Sequence, residues 1–224
     1  MKSTVSSFSS LSRFCLVGIA CGVMVGPAAA VNVLLNADFE DPVLAGGDTF
    51  GSPGWAAFGP GTYTAHSSIL PGVGAQSGAN VFKMFGTSGI FQQFSTAAGQ
   101  VWNGGAWILN FSGDQMGGGQ VAAVNIEWIQ ADGSSQSAIT PFISNGTFTA
   151  ASGVDRWTLQ TITGTAPADA AFVRFVLITG DFLPGGPGGA PFYDNAFLEA
   201  VPEPSSSALL GLGGLMLVGI RRRK

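Results

Sequence analysis

The side chains able to do chemistry are few and scattered in this 224-residue chain. His66 is the only histidine, so a Ser-His-Asp relay has one candidate base. It stands in a Thr-Ala-His-Ser-Ser stretch with no nucleophile-elbow pattern, and a histidine in a surface loop is the plainer reading. Cys15 and Cys21 both fall in the N-terminal apolar segment, which leaves the middle of the chain without a thiol. Zinc takes clustered His and Cys, and there is no such cluster. Glycoside hydrolysis needs two carboxyl groups about 5 to 9.5 Å apart. Glu40, Glu127 and Glu199 are available, but no spacing pairs them. Gly117 to Gly119 and the run from Gly185 to Gly189 lack the Lys-Ser/Thr of a phosphate loop and read as flexible turns. The expectation is a protein that is not an enzyme.

Two kinds of side chain remain. Asp38, Glu40 and Asp41 crowd together near the start of the middle region, and calcium takes six to eight oxygens from carboxylates and loop carbonyls. The duty of such an ion would be structural, and the same acids read equally as a solvated strand end. Sugar recognition sets aromatic faces against the apolar side of a pyranose, with polar groups around the rim. Trp55 and Trp102 lie among Gly, Pro and Asn in expected loops and are the ligand-binding candidates. Trp128 and Trp157 fall in regular strands and are expected in the core, the commoner place for an aromatic ring.

The charge pattern limits the partners. All thirteen acidic residues lie between Asp38 and Glu203, where the only basic residues are Lys83, Arg156 and Arg174. Nucleic-acid affinity comes from neutralising phosphates with Lys and Arg, so no nucleic acid is expected as a partner. Divalent cations and neutral ligands suit such a surface better.

The elements that must position these residues are bracketed by two addresses. Lys2 and Arg13 precede the apolar run Phe14 to Val25, which is followed by Gly26-Pro27-Ala28-Ala29-Ala30. A basic region, a short apolar region and an Ala-x-Ala site make residues 1–30 a signal peptide, cleaved after Ala30 and implying the Sec export machinery. At the other end stand Val201-Pro202-Glu203-Pro204, three serines, the apolar run Ala208 to Ile220, and Arg221-Arg222-Arg223-Lys224. That run is shorter than the roughly 20 residues a helix needs to cross hydrocarbon. A short transmembrane helix spanning only transiently is expected, its basic tail cytoplasmic and Pro-Glu-Pro outside. The prolines stop the helix from running through the motif. Residues 201–224 closely resemble the PEP-CTERM sorting signal of exported bacterial proteins, whose producers often make exopolysaccharide. The resemblance implies that an exosortase recognises Pro202, Glu203 and Pro204 and cleaves nearby. A simple C-terminal membrane anchor is the alternative. The localisation expected is the cell surface or the medium, after initial anchoring.

Residues 31–200 remain for the fold, one domain long enough to bury roughly 70% of the surface its unfolded chain exposes. Short alternating apolar runs separated by Gly-rich turns predict strands at 31–35, 79–85, 90–94, 106–111, 121–130, 156–163, 171–179 and 192–199. Eight strands of this kind argue for a β-sandwich. Val124, Ile126 and Trp128 share one face, and the strand at 171–179 is apolar on both faces apart from Arg174, so it belongs in the centre of its sheet.

Leu34-Leu35-Asn36-Ala37-Asp38-Phe39-Glu40, Trp157 with the Thr-rich strand and Ala166-Pro167-Ala168 after it, and Phe192-Tyr193-Asp194-Asn195-Ala196-Phe197-Leu198-Glu199 resemble the jelly-roll carbohydrate-binding modules with a galactose-binding-like fold. The resemblance implies that first and last strands lie together and that Glu40 and Asp194, with Asp38 as a possible addition, hold a structural calcium ion. Ala37-Asp38 departs from the glycine usual there. The functional expectation is an exported surface or matrix protein with a carbohydrate-binding-like module, its partner an extracellular polysaccharide. The alternatives are a purely structural or adhesive matrix component and a cryptic glycoside hydrolase.

Overall fold

A computed structural model of the chain describes residues 30–136 and 147–202. The expected signal peptide, a turn that the pair Asn145-Gly146 predicts, and the sorting segment from Glu203 onward lie outside the described residues. In chain order the strands are β1 (Asp48–Phe50), β2 (Ala56–Phe58), β3 (Thr62–His66), β4 (Asn80–Met84), β5 (Ser88–Ser95), β6 (Val101–Asn110), β7 (Gln120–Ile129), β8 (Ser135–Gln136), β9 (Phe148–Thr149), β10 (Thr158–Thr165), β11 (Phe172–Asp181) and β12 (Pro191–Ala200). They form two antiparallel sheets, in the orders β1-β3-β4-β12-β6-β10 and β2-β5-β11-β7-β8, with β9 also paired to β7. This is the all-β sandwich that the alternating pattern predicts, with the jelly-roll form that the resemblance implies. Among the described residues no helix is long and apolar enough to cross a membrane.

Alternation along the strands builds the core between the sheets. Ala122, Val124, Ile126 and Trp128 of β7 and Val173, Phe175 and Leu177 of β11 meet Phe82, Met84, Tyr193 and Leu198 from the facing sheet. β11 lies between β5 and β7, as its two apolar faces require. Phe175 rests against Gly104 of β6, where an added Cβ would come within 2.7 Å of the ring. That glycine is how the second-sheet aromatic seats on the first. The Tyr193 hydroxyl ties the layers a second time, donating to the Ile178 carbonyl at 2.8 Å.

The expected first strand is not regular. Its pairing with β12 survives as one bridge, Asn32 to Glu199, and one amide bond, Val33 N–H to the Leu198 carbonyl at 2.9 Å. Asn36 (φ 46) and Phe39 (φ 58) turn the backbone left-handed and break the extended run. The Asn32 side chain substitutes for the ladder, its Oδ1 accepting from Leu198 N–H and its Nδ2 donating to Ala196 O. β1, β2, β3, β8 and β9 are additional to the expected set. The two glycine runs also differ from free turns. They pack backbone on backbone, with Gly119 N–H donating to Gly186 O at 3.0 Å and Leu183 N–H to Gly119 O at 3.0 Å.

Candidate functional site

Arg174 breaks the apolar pattern of β11 and organises the outer face of the second sheet. It is directly opposite Gln93 of β5 on one side and Glu127 of β7 on the other. Its Nε and Nη2 donate to Gln93 Oε1 at 3.2 and 3.0 Å, and its Nη1 lies 3.4 Å from Glu127 Oε2. The guanidinium also covers the Phe91 ring at 4.7 Å, a cation–π contact. One register step along, Asn125 of β7 has a buried Oδ1 with no hydrogen-bond partner. A half-exposed row of amide, guanidinium and carboxylate beside an aromatic ring presents both donors and acceptors, the set a polyol needs. Composition left this row unnoticed. The one available signal was a single arginine in an otherwise apolar strand.

The tryptophan candidates are corrected. Trp55 is 8% exposed and stands in the aromatic core, 5.6 Å from Phe39 and 6.3 Å from Phe175. Its Nε1 donates to Asn36 O at 3.1 Å. Trp102 is 5% exposed and belongs to β6 rather than a loop, with Nε1 donating to Thr96 Oγ1 at 2.9 Å. Gly, Pro and Asn neighbours marked the bends around these rings, while the rings themselves fill the inter-sheet space, so neither face is free to stack on a sugar. Trp128 is buried as expected, and half-buried Trp157 packs on a second, smaller apolar cluster. His66 ends β3 and caps a short turn, its Nδ1 accepting from Ser68 N–H at 3.1 Å. Glu40, Glu127 and Glu199 stand in a loop, in the second sheet and in the first sheet, and are not brought together.

Asp194 and Glu40, two of the three residues expected to hold calcium, both accept hydrogen bonds from amides of the 76–80 loop. Asp194 is fully buried at a bulge in β12, and its Oδ2 accepts from the amides of Gln76 and Ser77 at 2.8 and 3.0 Å while Oδ1 accepts from Asn195 N–H at 2.7 Å. Glu40 Oε1 accepts from the amides of Ala79 and Asn80, both at 2.9 Å. Gly78 lies between, with φ 65, where a Cβ would overlap the Glu40 carboxylate. Asn80 donates through Nδ2 to Phe39 O and Pro42 O, and its buried Oδ1 has no partner. Two carboxylates and an orphaned amide oxygen are hard oxygen donors, the chemistry that suits calcium. Asp38 does not join them: it is exposed and turned back on the Glu40 amide at 3.5 Å. Among the described residues no three His, Cys, Asp or Glu side chains form a metal cluster.

The fold is an all-β sandwich, and the solved structures similar to it include carbohydrate-binding modules. The CBM22-1–CBM22-2 tandem domain of Paenibacillus barcinonensis Xyn10C superposes with a TM-score of 0.50 at 15% identity, over 80% of this chain and 49% of that one. A family 16 carbohydrate-binding module gives 0.47 at 22% identity over 75% and 99%. The enzymatically active domain of bacteriophage CBA120 tailspike protein 4 gives 0.48 at 10% identity, over 76% of this chain and 21% of its own length. No curated protein sequence matches the chain. Residues 200–224 match the PEP-CTERM protein-sorting motif, so the chain carries the signal of a secreted protein held at its C-terminus until an exosortase processes it.

The carboxylate pair sets a pH dependence. Burial raises the Asp194 carboxyl from 3.8 to about 7, the amides of Ser77, Asn195 and Gln76 pull it back, and the nearby Glu40 charge raises it further. In chelator-containing buffer the folded chain holds this proton up to about pH 7, whereas the unfolded chain loses it near 3.8. Folded protein therefore binds more protons across that window, and stability falls as pH rises through it. Thermal scans of wild type and Asp194→Asn at pH 4.5 and 7.5 should show the larger fall in wild type. Equal falls would contradict the assignment.

Proposed function

We propose that the mature domain is a calcium-stabilised glycan-binding module of the cell envelope, exported through the Sec machinery and released from its membrane tether by exosortase processing. The observation that carries the binding half is the Gln93–Arg174–Glu127 row over Phe91. It costs the sheet an arginine on an otherwise apolar strand and offers polar groups beside an aromatic ring on an outer face. A neutral glycan suits a domain whose only basic residues between Asp38 and Glu203 are Lys83, Arg156 and Arg174. Binding without turnover is the reading, because the acids a hydrolase would use are committed: Glu127 to Arg174 and Glu40 to two backbone amides.

The sorting half is supported by where the sheet ends. Ala200 still pairs with Trp102, Val201 N–H donates to Val101 O at 2.9 Å, and Val201 O accepts from Gln100 Nε2 at 3.0 Å. Pairing reaches Val201, next to exposed Pro202, so the sheet extends to the edge of the motif. Calcium, when bound, would neutralise the Asp194 and Glu40 charges and accept the Asn80 Oδ1 lone pair, holding the 76–80 loop to β12.

Three measurements test these statements. In affinity electrophoresis through gels containing xylan, β-1,4-galactan or mixed-linkage glucan, wild type should be retarded by at least one polymer. Arg174→Ala should weaken that binding about tenfold, or about 1.4 kcal/mol, with an unchanged thermal midpoint. Equal retardation of the variant would remove the row from the site. Calcium at saturating concentration should raise the wild-type midpoint at pH 7.5, since a ligand bound only by the folded state must stabilise it. It should leave Asp194→Asn unmoved. The intact mass of the protein from its native host should lack residues 1–30 and end at or after Pro202. A mature C-terminus at Ala200 or earlier, or an uncut tail, would contradict the processing scheme.

A further inference from the structure

The outer face of the first sheet, on the far side of the sandwich from Arg174, carries a second row. Phe50 of β1 is directly opposite Tyr63 of β3, Tyr63 opposite Lys83 of β4, and Lys83 opposite Phe192 of β12. Their strand neighbours Thr62, Thr64, Phe82, Met84 and Tyr193 point inward and are fully buried, which fixes this row as outward. Phe85, two residues beyond Lys83, joins the same face and stacks on Tyr63, with centroids 5.6 Å apart and planes 11° from parallel. Phe50 meets Tyr63 edge-on at 5.6 Å and 89°. Gly61 runs beneath Phe85, where a Cβ would strike its ring.

These rings are not spent on packing. Phe50 is 62% and Phe85 39% exposed, although the core side of the same strands is already filled by Phe82 and Met84. Beside them Lys83 Nζ and Asp114 Oδ2 are paired at 2.7 Å, with side chains 26% and 34% exposed. The platform therefore has aromatic faces, an N–H donor and a carboxylate acceptor at its edge, and a cation already compensated by its neighbour.

The occupant follows from size and charge. Aromatic side chains bury roughly 150–250 Å² each, so the exposed parts of Phe50 and Phe85 amount to about 200 Å². A stable protein interface needs about 800 Å² per partner, which this strip does not approach. A few sugar rings fit that area. Their C–H faces stack on aromatic rings, and their hydroxyls can donate to a carboxylate and accept from an ammonium. Anionic polymers have nothing to gain from a lysine already paired with an aspartate in an acidic chain.

We propose that Phe50, Tyr63 and Phe85, with Lys83 and Asp114, form a second carbohydrate platform that takes neutral pyranose units of a polysaccharide. With the Arg174 row on the opposite face the module is bivalent, able to bridge two polysaccharide chains and gain avidity from both. The bivalency rests on the Arg174 reading, while the platform itself does not.

The test uses purified full-length protein in gels containing xylan, β-1,4-galactan or mixed-linkage glucan, with the variants Phe50→Ala/Phe85→Ala, Arg174→Ala and all three together. The double variant should lose about tenfold in affinity at an unchanged thermal midpoint, and the triple variant should migrate as in polymer-free gel. Wild-type retardation persisting in the double variant would overturn the proposal, as would the absence of retardation in every polymer. A sedimentation shift from dimer to monomer on Phe50→Ala/Phe85→Ala would also overturn it, assigning the strip to a second copy of the chain. If Arg174→Ala is silent and the double variant is weakened, the platform stands and the second-sheet site falls.

Discussion

A fully buried carboxylate, Asp194, governs how the chain closes on itself. Burying an ionised carboxylate without compensation is prohibitive, so its environment had to be built around it. The amides of Gln76, Ser77 and Asn195 supply that environment, and two of the three come from a loop distant in sequence. The same loop is fastened three residues later by Glu40, through the amides of Ala79 and Asn80. One short segment is thus held between the stretch around Glu40 and the last strand. That fastening also presses the preceding residues Leu70, Val73 and Ala75 onto the outer face of the first sheet, where they form an apolar cluster with Leu109 and Phe192.

β12 is consequently the strand on which the other parts depend. It pairs with β4 and β6, receives the N-terminal segment through Asn32, carries Asp194 at its bulge, and reaches the facing sheet through the Tyr193 hydroxyl. It also runs straight into the sorting motif. Under the proposed processing scheme, a pull on the tail would pass into β12, between β4 and β6 in the first sheet. Because Asn32 bridges Glu199, both ends of the folded body emerge together. Part of each outer face remains exposed, around Phe50 and Phe85 on the first sheet and around Arg174 on the second.

The long strands were legible because they obey one simple rule. Where both faces or one face are apolar at period two, as in β7 and β11, the sequence signal and the sheet coincide. β1, β2 and β3 were hidden because they are short and rich in Thr and Ala. They lie at or near the sheet edges, where neighbouring strands rather than propensity fix the backbone. The carboxylate pair was found through resemblance, because residues 40 and 194 are adjacent only after β12 has paired. The tryptophans misled for a physical reason: a Gly- and Pro-rich context reports where the backbone bends, not where the ring points. Trp55 leaves such a bend and fills the gap between Phe39 and Phe175. Phe50 and Phe85, which do face solvent, carry no local mark of exposure.

Charge completes the account of what the two faces can recognise. Lys83 and Arg174, two of the three basic residues between Asp38 and Glu203, are each paired with an acid on the outer surface of a sheet and each cover an aromatic ring, Phe192 and Phe91. A cation held in this way no longer attracts anions at long range. It remains a rigid hydrogen-bond donor beside an apolar face, and its acid partner remains an acceptor. In the glycan-binding reading proposed above, repeating that arrangement on opposite sheets would trade electrostatic steering, which salt and pH modulate, for short-range complementarity to the shape and hydroxyl pattern of a neutral ligand. Outside the cell, where ionic conditions are not controlled, that exchange would keep recognition constant while the medium changes.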